Sequence, residues 1–323
     1  MKYYVGLDVS MKETLILQKV GVESGAISHW LVEELRRLEI PAVCIDARKM
    51  AAILSIRINK TDKNDAKGIA DAMRSGLYRE VISKSQRAIE IGTLVGSRRL
   101  LVEQKVRLTN AIRGHLKTYG IRLGTSGDAS FGKKVREVLS KGYEIAGKGI
   151  DGLLNSFEKI HEEIRVLIKE IENLAIADQQ VQRFMTIPGI GIITAMTYQI
   201  EIDDLNRFRN SRAVGAYLGM TPKQYSSGET KKQGKISKCG SSEMRRLLNE
   251  AAIVMLTRSK RWSKLKAWGL KLQRKHGFKK ACMGVGRKLA VIMHRMWLDK
   301  TDFIYEERKE ERIVDTFGLA RAT

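Results

Sequence analysis

From Leu153 to Leu174 the apolar residues Leu153, Phe157, Ile160, Ile164, Leu167, Ile171 and Leu174 recur at alternating intervals of four and three. This is the a/d repeat of a coiled-coil seam, and a strand or an irregular segment cannot gather it on one side. It commits the middle of the chain, about Ser85 to Ala177, to long helices. An upstream run through Ile91, Leu94, Leu101, Leu108, Ile112 and Leu116 has helical spacing with a looser repeat, and the Gly-rich stretch Gly120 to Gly132 reads as the loop between two helices. Such helices pack on each other or on a second subunit. Dimerisation through the seam is an expectation.

The N-terminal part has a different pattern. Tyr3 to Val9 is a short apolar run whose end overlaps Gly6-Leu7-Asp8-Val9-Ser10, so a buried strand would deliver an acid at its end. Ala42 to Ile45 reads as a second buried strand, and Ser28 to Leu38 between them is helical through Trp30, Leu31, Leu35 and Leu38. Strand, helix, strand is the signature of an α/β layer. From Thr61 the pattern is helical through Ala66, Ile69, Ala70 and Met73 until Gly76 stops it. A third unit opens at Ile187-Pro188-Gly189-Ile190-Gly191, where proline and two glycines between apolar residues read either as a tight turn between helices or as a helix-hairpin-helix turn. In the second case the amides around Gly189 and Gly191 can approach a phosphate. The expected division is 1–84, 85–178 and 179–323.

Charge then narrows the partner. Fifty-nine Lys and Arg against 36 Asp and Glu leave a net charge of +23, far more than solubility requires, which calls for a polyanion. The excess is unevenly spread: twelve basic residues and no acid lie between Arg258 and Lys288, and seven against two Glu between Lys223 and Arg246. Nucleic acid is the polyanion that such a field fits. A membrane span needs about 20 consecutive apolar residues and a signal peptide needs an apolar core behind a cationic start; neither pattern occurs, so a cytoplasmic protein is expected. Cys44, Cys239 and Cys282 are far apart with no CxxC spacing and read as reduced thiols without a zinc site. Trp262, Trp268 and Trp297 lie in or beside the basic stretch and could stack on bases, but their helical spacing with Leu265, Leu270, Leu289 and Ile292 favours the core. His294 reads as a packed histidine.

Asp62 and Asp65 sit three apart at the start of a helix and so share one face. They read either as acids that favour the helix macrodipole or, with Asp8, as ligands of hard divalent cations for phosphoryl transfer. Glu23, in Gly21-Val22-Glu23-Ser24-Gly25, is a fourth candidate. An acid ending the first strand, an acid before a helix and an i, i+3 pair can converge in a ribonuclease-H-like fold.

These stretches, followed by Phe208-Arg209-Asn210-Ser211-Arg212, Tyr217-Leu218-Gly219-Met220-Thr221-Pro222, Ser226-Ser227-Gly228, Gly234-Lys235-Ile236-Ser237-Lys238-Cys239-Gly240 and Arg245-Arg246-Leu247-Leu248, resemble in order and kind the insertion-sequence-110 family of bacterial transposases, the Piv-like or DEDD transposases. The resemblance covers nearly the whole chain. It implies a RuvC-like N-terminal domain with Asp8, Glu23, Asp62 and Asp65 holding Mg²⁺ or Mn²⁺, a helical coiled-coil insert and a mainly helical C-terminal transposase domain. It also implies a recombinase that excises and inserts its own mobile element, a serine nucleophile forming a phosphoserine bond with DNA, and in some members a structured guide RNA. A homo-oligomer, dimer or tetramer, is the expected working form.

Ser227, beside Gly228, matches the serine of the family motif, and glycine permits the close backbone approach an attack on phosphate needs; Ser226, Ser237 and Ser241 are its competitors. Lys231, Lys232, Lys235, Lys238, Arg245 and Arg246 are candidate phosphate contacts, and some of them could stabilise charge at the reacting phosphorus. The sequence departs from the family at one place. A β-hairpin of several tens of residues is expected between Asp8 and Glu23, where this chain has only fourteen residues. If Thr14 to Val22 folded straight back, Glu23 would lie roughly 20 Å from Asp8. A parallel strand would bring the acids together, but Ser10 to Ile16, fully extended, spans only about 23 Å. Two readings compete: a structure-selective nuclease, which would need the four acids but not Ser227, and a catalytically inactive nucleic-acid-binding protein, which the shortened segment favours.

Overall fold

The computed structural model describes residues 4–7, 19–55, 59–125, 127–227 and 230–305. The chain divides into two compact units, Met1–Gln86 and Arg87–Thr323.

The first unit is built on a four-stranded sheet of order β1-β2-β3-β4, with β1 (Tyr4–Leu7), β2 (Lys19–Glu23), β3 (Ala42–Ile45) and β4 (Glu80–Val81). The first three strands are parallel, with Leu7 opposite Val22 and Glu23 opposite Ile45, and only β4 is antiparallel. Strand β2 therefore does not fold straight back on β1. It begins at Lys19, and the eleven residues 8–18 that join the two strands reach about 36 Å at full extension, well beyond the length of a four-residue strand.

Alternation sorts the sheet residues onto two faces. Val20, Val22, Ala42 and Cys44 are buried with Val32 of α1 (Ser28–Arg37). On the opposite face Val43 and Ile45 are buried with Met50 of α2 (Ala47–Leu54) and with Ile69, Ala72 and Met73 of α3 (Asp62–Arg74). Helices on both faces of a mainly parallel sheet make a three-layer α/β unit.

The second unit is mostly helical. Helices α4 (Gln86–Thr118), α5 (Asp128–Leu139) and α6 (Glu144–Ala177) share a small core in which Ile112, Leu116, Phe131, Val135, Leu154 and Phe157 are buried. The stretch read from sequence as a loop up to Gly132 thus ends at Gly127, the N-cap of α5. Phe131 and Val135, one turn apart, give α5 its buried stripe. Along the predicted seam of α6, Phe157, Ile164 and Ile171 are buried, the first in this small core and the last in the larger one.

The larger core gathers Ala88 and Val95 of α4, Ile171 and Ala175 of α6, and the buried faces of α7 (Gln179–Met185), α8 (Ile192–Ile202), α9 (Ala213–Tyr217), α10 (Ser242–Thr257), α11 (Lys264–His276) and α12 (Phe278–Asp299). At its centre the Tyr198 hydroxyl donates to the Ala290 carbonyl at 2.6 Å, and Phe184 meets Tyr198 and Trp297 edge to face. Trp268 and Trp297 pack against this core. His294 is buried with Nδ1 at 3.0 Å from Ser211 Oγ, and its burial lowers its pKa, partly offset by the Leu205 carbonyl. Between α9 and α10 the chain forms an antiparallel ribbon of β5 (Pro222–Ser227) and β6 (Thr230–Ile236).

Candidate active-site elements

Glu23 ends β2 and is half-buried. The next residue fastens this end of the strand: Ser24 N–H donates to Ile45 O at 2.8 Å, and Ser24 Oγ accepts from Ala47 N–H at 3.0 Å, so the ends of β2 and β3 and the start of α2 are tied together. Asp8 lies outside the described residues. Leu7 and Val22, which precede Asp8 and Glu23 in sequence, are paired across the parallel ladder.

Asp62 and Asp65 occupy the first turn of α3, but neither caps it. Thr61 is the N-cap, accepting from Asn64 N–H at 3.2 Å. Both acids stand in the first turn, where their charges favour the helix dipole. Asp62, Asp65, Ile69 and Met73 follow one stripe by their three- and four-residue spacing. Its Ile69 and Met73 end rests on the sheet at Gly21, where a Cβ would come within 2.2 Å of Met73 Sδ and 2.6 Å of Ile45 Cδ1. Gly21 is thus the position that lets α3 approach the sheet closely, and Glu23 follows two residues later on the same face. Among the described residues no group of three acids, histidines or cysteines forms a metal cluster.

The predicted nucleophile stands on a different kind of scaffold. Ser227 is exposed at the last position of β5, opposite Thr230; Gly228 and Glu229 lie outside the described residues. The segment is an antiparallel ribbon, and its base is held by interlocked backbone. Gly219 (φ +68°) would place a Cβ 2.0 Å from Cys239 O, and Gly240 (φ +74°) would place one 2.4 Å from Tyr217 O. Lys238 N–H donates to Gly219 O at 3.1 Å and Ser237 N–H to Thr221 O at 2.8 Å. The two motifs around Tyr217 to Pro222 and Lys238 to Gly240 are the two halves of this clasp.

The chain matches the profile of the transposase IS116/IS110/IS902 family over residues 181–267 and that of the DEDD transposases of IS110 type over residues 15–121. It is 28% identical over 297 residues to the transposase for insertion sequence element IS1111A of Coxiella burnetii, spanning 90% of this chain and 79% of that protein. It is also 29% identical over 278 residues to the transposase for insertion sequence element IS1328 of Yersinia enterocolitica, spanning 84% and 81%. The chain belongs to the IS110 family of transposases.

In this transposase the remaining predicted residues separate by what they touch. Lys235 and Lys238 are exposed; Lys231 and Lys232 lie on β6, with side chains outside those described. Arg245 instead closes the clasp: its Nη1 donates to the carbonyls of Leu218 at 3.1 Å, Cys239 at 2.8 Å and Gly240 at 3.1 Å. Arg246 is bonded to Glu243 and, at 2.6 Å, to Glu250, and the Glu243 hydrogen bond foremost raises its pKa. The acids at i−3 and i+4 from Arg246 were the available sequence signal for this pairing.

Among the competing serines, Ser241 caps α10 by accepting from Met244 N–H at 3.1 Å, and Ser237 is half-buried. The glycine requirement at 189 has a packing cause, since at φ +87° a Cβ would meet Ala251 O of α10 at 2.6 Å, whereas the Cβ position of Gly191 opens onto free space. The sequence reading missed Arg98 on α4, whose pKa is lowered by burial and then by the neighbouring Arg246 charge. Among the described residues no helix is long and apolar enough to cross a membrane.

Proposed function

We propose that this transposase exchanges DNA strands through a covalent Ser227 intermediate, with Asp8, Glu23, Asp62 and Asp65 holding Mg²⁺ or Mn²⁺. The observation that carries this reading is the parallel pairing of Leu7 with Val22, which sets side by side the residues that precede Asp8 and Glu23 in sequence. All four candidate ligands are carboxylates, the hard oxygen donors that suit Mg²⁺. A bound divalent ion would supply Lewis-acid polarisation of the phosphoryl oxygens.

The chain's own part is transesterification. Ser227 Oγ gives up its proton and bonds to phosphorus, the bond to one bridging DNA oxygen breaks, and that oxygen leaves as a hydroxyl. A hydroxyl of the partner strand then attacks the phosphoserine, restoring a phosphodiester and releasing the serine hydroxyl. One bond of the same kind forms for each one broken, so no external energy source is required. Lys235 and Lys238 would neutralise nearby phosphates. We also read the protein as a homo-oligomer, dimer or tetramer, and as using a structured RNA partner, both on family grounds.

The test uses full-length protein, purified with the nucleic acid it carries, on DNA bearing joined element ends in the presence of Mg²⁺. A denaturant-resistant protein–DNA adduct should map to Ser227 by mass spectrometry and disappear in Ser227→Ala, while Asp62→Asn and Asp65→Asn should slow its formation at least about a hundredfold. Strand exchange that survives Ser227→Ala would remove the serine from its role. Cleavage without any adduct would make the protein a nuclease.

A further inference from the structure

The ribbon that ends at Ser227 also exposes an aromatic ring. Tyr225 is 59% accessible, although a ring of this size is usually covered in a folded protein or at its interface. Strand alternation places Tyr225 and Ser227 on the same face, about 7 Å apart along β5. Their cross-strand partners, Lys232 and Thr230, fix the register at both positions. The ring is seated against the opposing backbone at Gly234, where a Cβ would come within 3.1 Å of Tyr225 Cε2. A side chain at 234 would make the ring give way by a few tenths of an ångström. The clasp of Gly219, Gly240 and Arg245 then holds the base of the ribbon.

We propose that Tyr225 is a positioning residue whose ring stacks on the nucleobase adjoining the phosphodiester that Ser227 attacks. The inference rests on the assignment of Ser227 as nucleophile. A ribbon rich in lysine binds the phosphate backbone without fixing which phosphate stands at the hydroxyl. An aromatic face held one alternation away fixes that register, because every base offers a π-face and stacking tolerates sequence. The ligand it recognises is an unpaired base in the strand being cut. Seating on Gly234 spares the ring much of the ordering cost that a freely rotating tyrosine would bear on binding. Small displacements of a reacting group cost large factors in rate, so the ring acts on chemistry through geometry alone.

The experiment uses the full-length transposase and element-end DNA carrying 2-aminopurine, a fluorescent base analogue, at successive positions around the cleaved bond. Wild type and Ser227→Ala should quench the probe at one position beside that bond; Tyr225→Phe should keep the quenching and Tyr225→Leu should lose it. Adduct formation should slow about tenfold or more in Tyr225→Leu and remain near wild type in Tyr225→Phe. An abasic nucleotide at the quenched position should slow the wild type by a similar factor and leave Tyr225→Leu no slower than before. Unchanged quenching or a wild-type adduct rate in Tyr225→Leu overturns the proposal. So does an abasic effect of equal size in the two proteins. Adduct formation that persists in Ser227→Ala overturns the serine assignment instead, while the quenching series continues to report whether the ring stacks beside the cleaved bond.

Discussion

The candidate acids and the candidate serine are positioned by opposite means. Glu23, Asp62 and Asp65 belong to a layered unit in which side chains do the positioning: α3 settles on the sheet because Gly21 leaves room for Met73 and Ile69. Ser227 sits on an exposed ribbon with little core of its own, and backbone atoms of Gly219, Cys239, Gly240 and Tyr217 hold the ribbon's base. Side chains can rotate away from an intruding methyl group, whereas interlocked backbone cannot. The same type of lesion should therefore be tolerated in one unit and not in the other.

Gly219→Ala should be the most damaging change, by about 3–5 kcal/mol, since it combines a left-handed backbone with a clash against Cys239 backbone. In hydrogen exchange the amides of Ser237 and Lys238 should lose their protection; if both stay protected, the clasp is not what holds the ribbon. Arg245→Met removes three bonds to carbonyls while keeping much of the side-chain volume, and a loss of about 2–3 kcal/mol is expected in chemical denaturation. A loss confined to DNA affinity, with stability intact, would return Arg245 to the phosphate-binding set. Gly21→Ala should be mildest, about 1–2 kcal/mol, because it meets side-chain atoms, Met73 Sδ and Ile45 Cδ1, rather than backbone. Equal destabilisation by Gly21→Ala and Gly219→Ala would erase the contrast.

What the sequence disclosed follows the same divide. Strand β3 and helices α1 and α3 announce themselves through apolar runs and helical spacing, and the α6 seam does so most clearly. Strand β2 was obscured because Gly21 stands where the second buried face would otherwise show a bulky residue. Helix α2 buries only Met50, and a single buried residue has no period. Helix α5 was masked by glycines at 124, 127 and 132, which read as breakers. The ribbon was missed because its strands, Pro-Lys-Gln-Tyr-Ser-Ser and Thr-Lys-Lys-Gln-Gly-Lys-Ile, carry no apolar alternation. Type and spacing single out the acids as candidates; that Arg245 is occupied by three carbonyls could not be read, because its partners are backbone atoms and leave no mark on the sequence.

The parallel relation of β1 and β2 has one further consequence. In an antiparallel hairpin the length of the turn dictates which residues face each other, so inserting or deleting a residue slips the register. A link between parallel strands runs outside the ladder and imposes no such phase. Its length can then drift at an entropic cost of only about 0.6 kcal/mol per doubling. The link between β1 and β2 can therefore change length without shifting which residues of the two strands face each other.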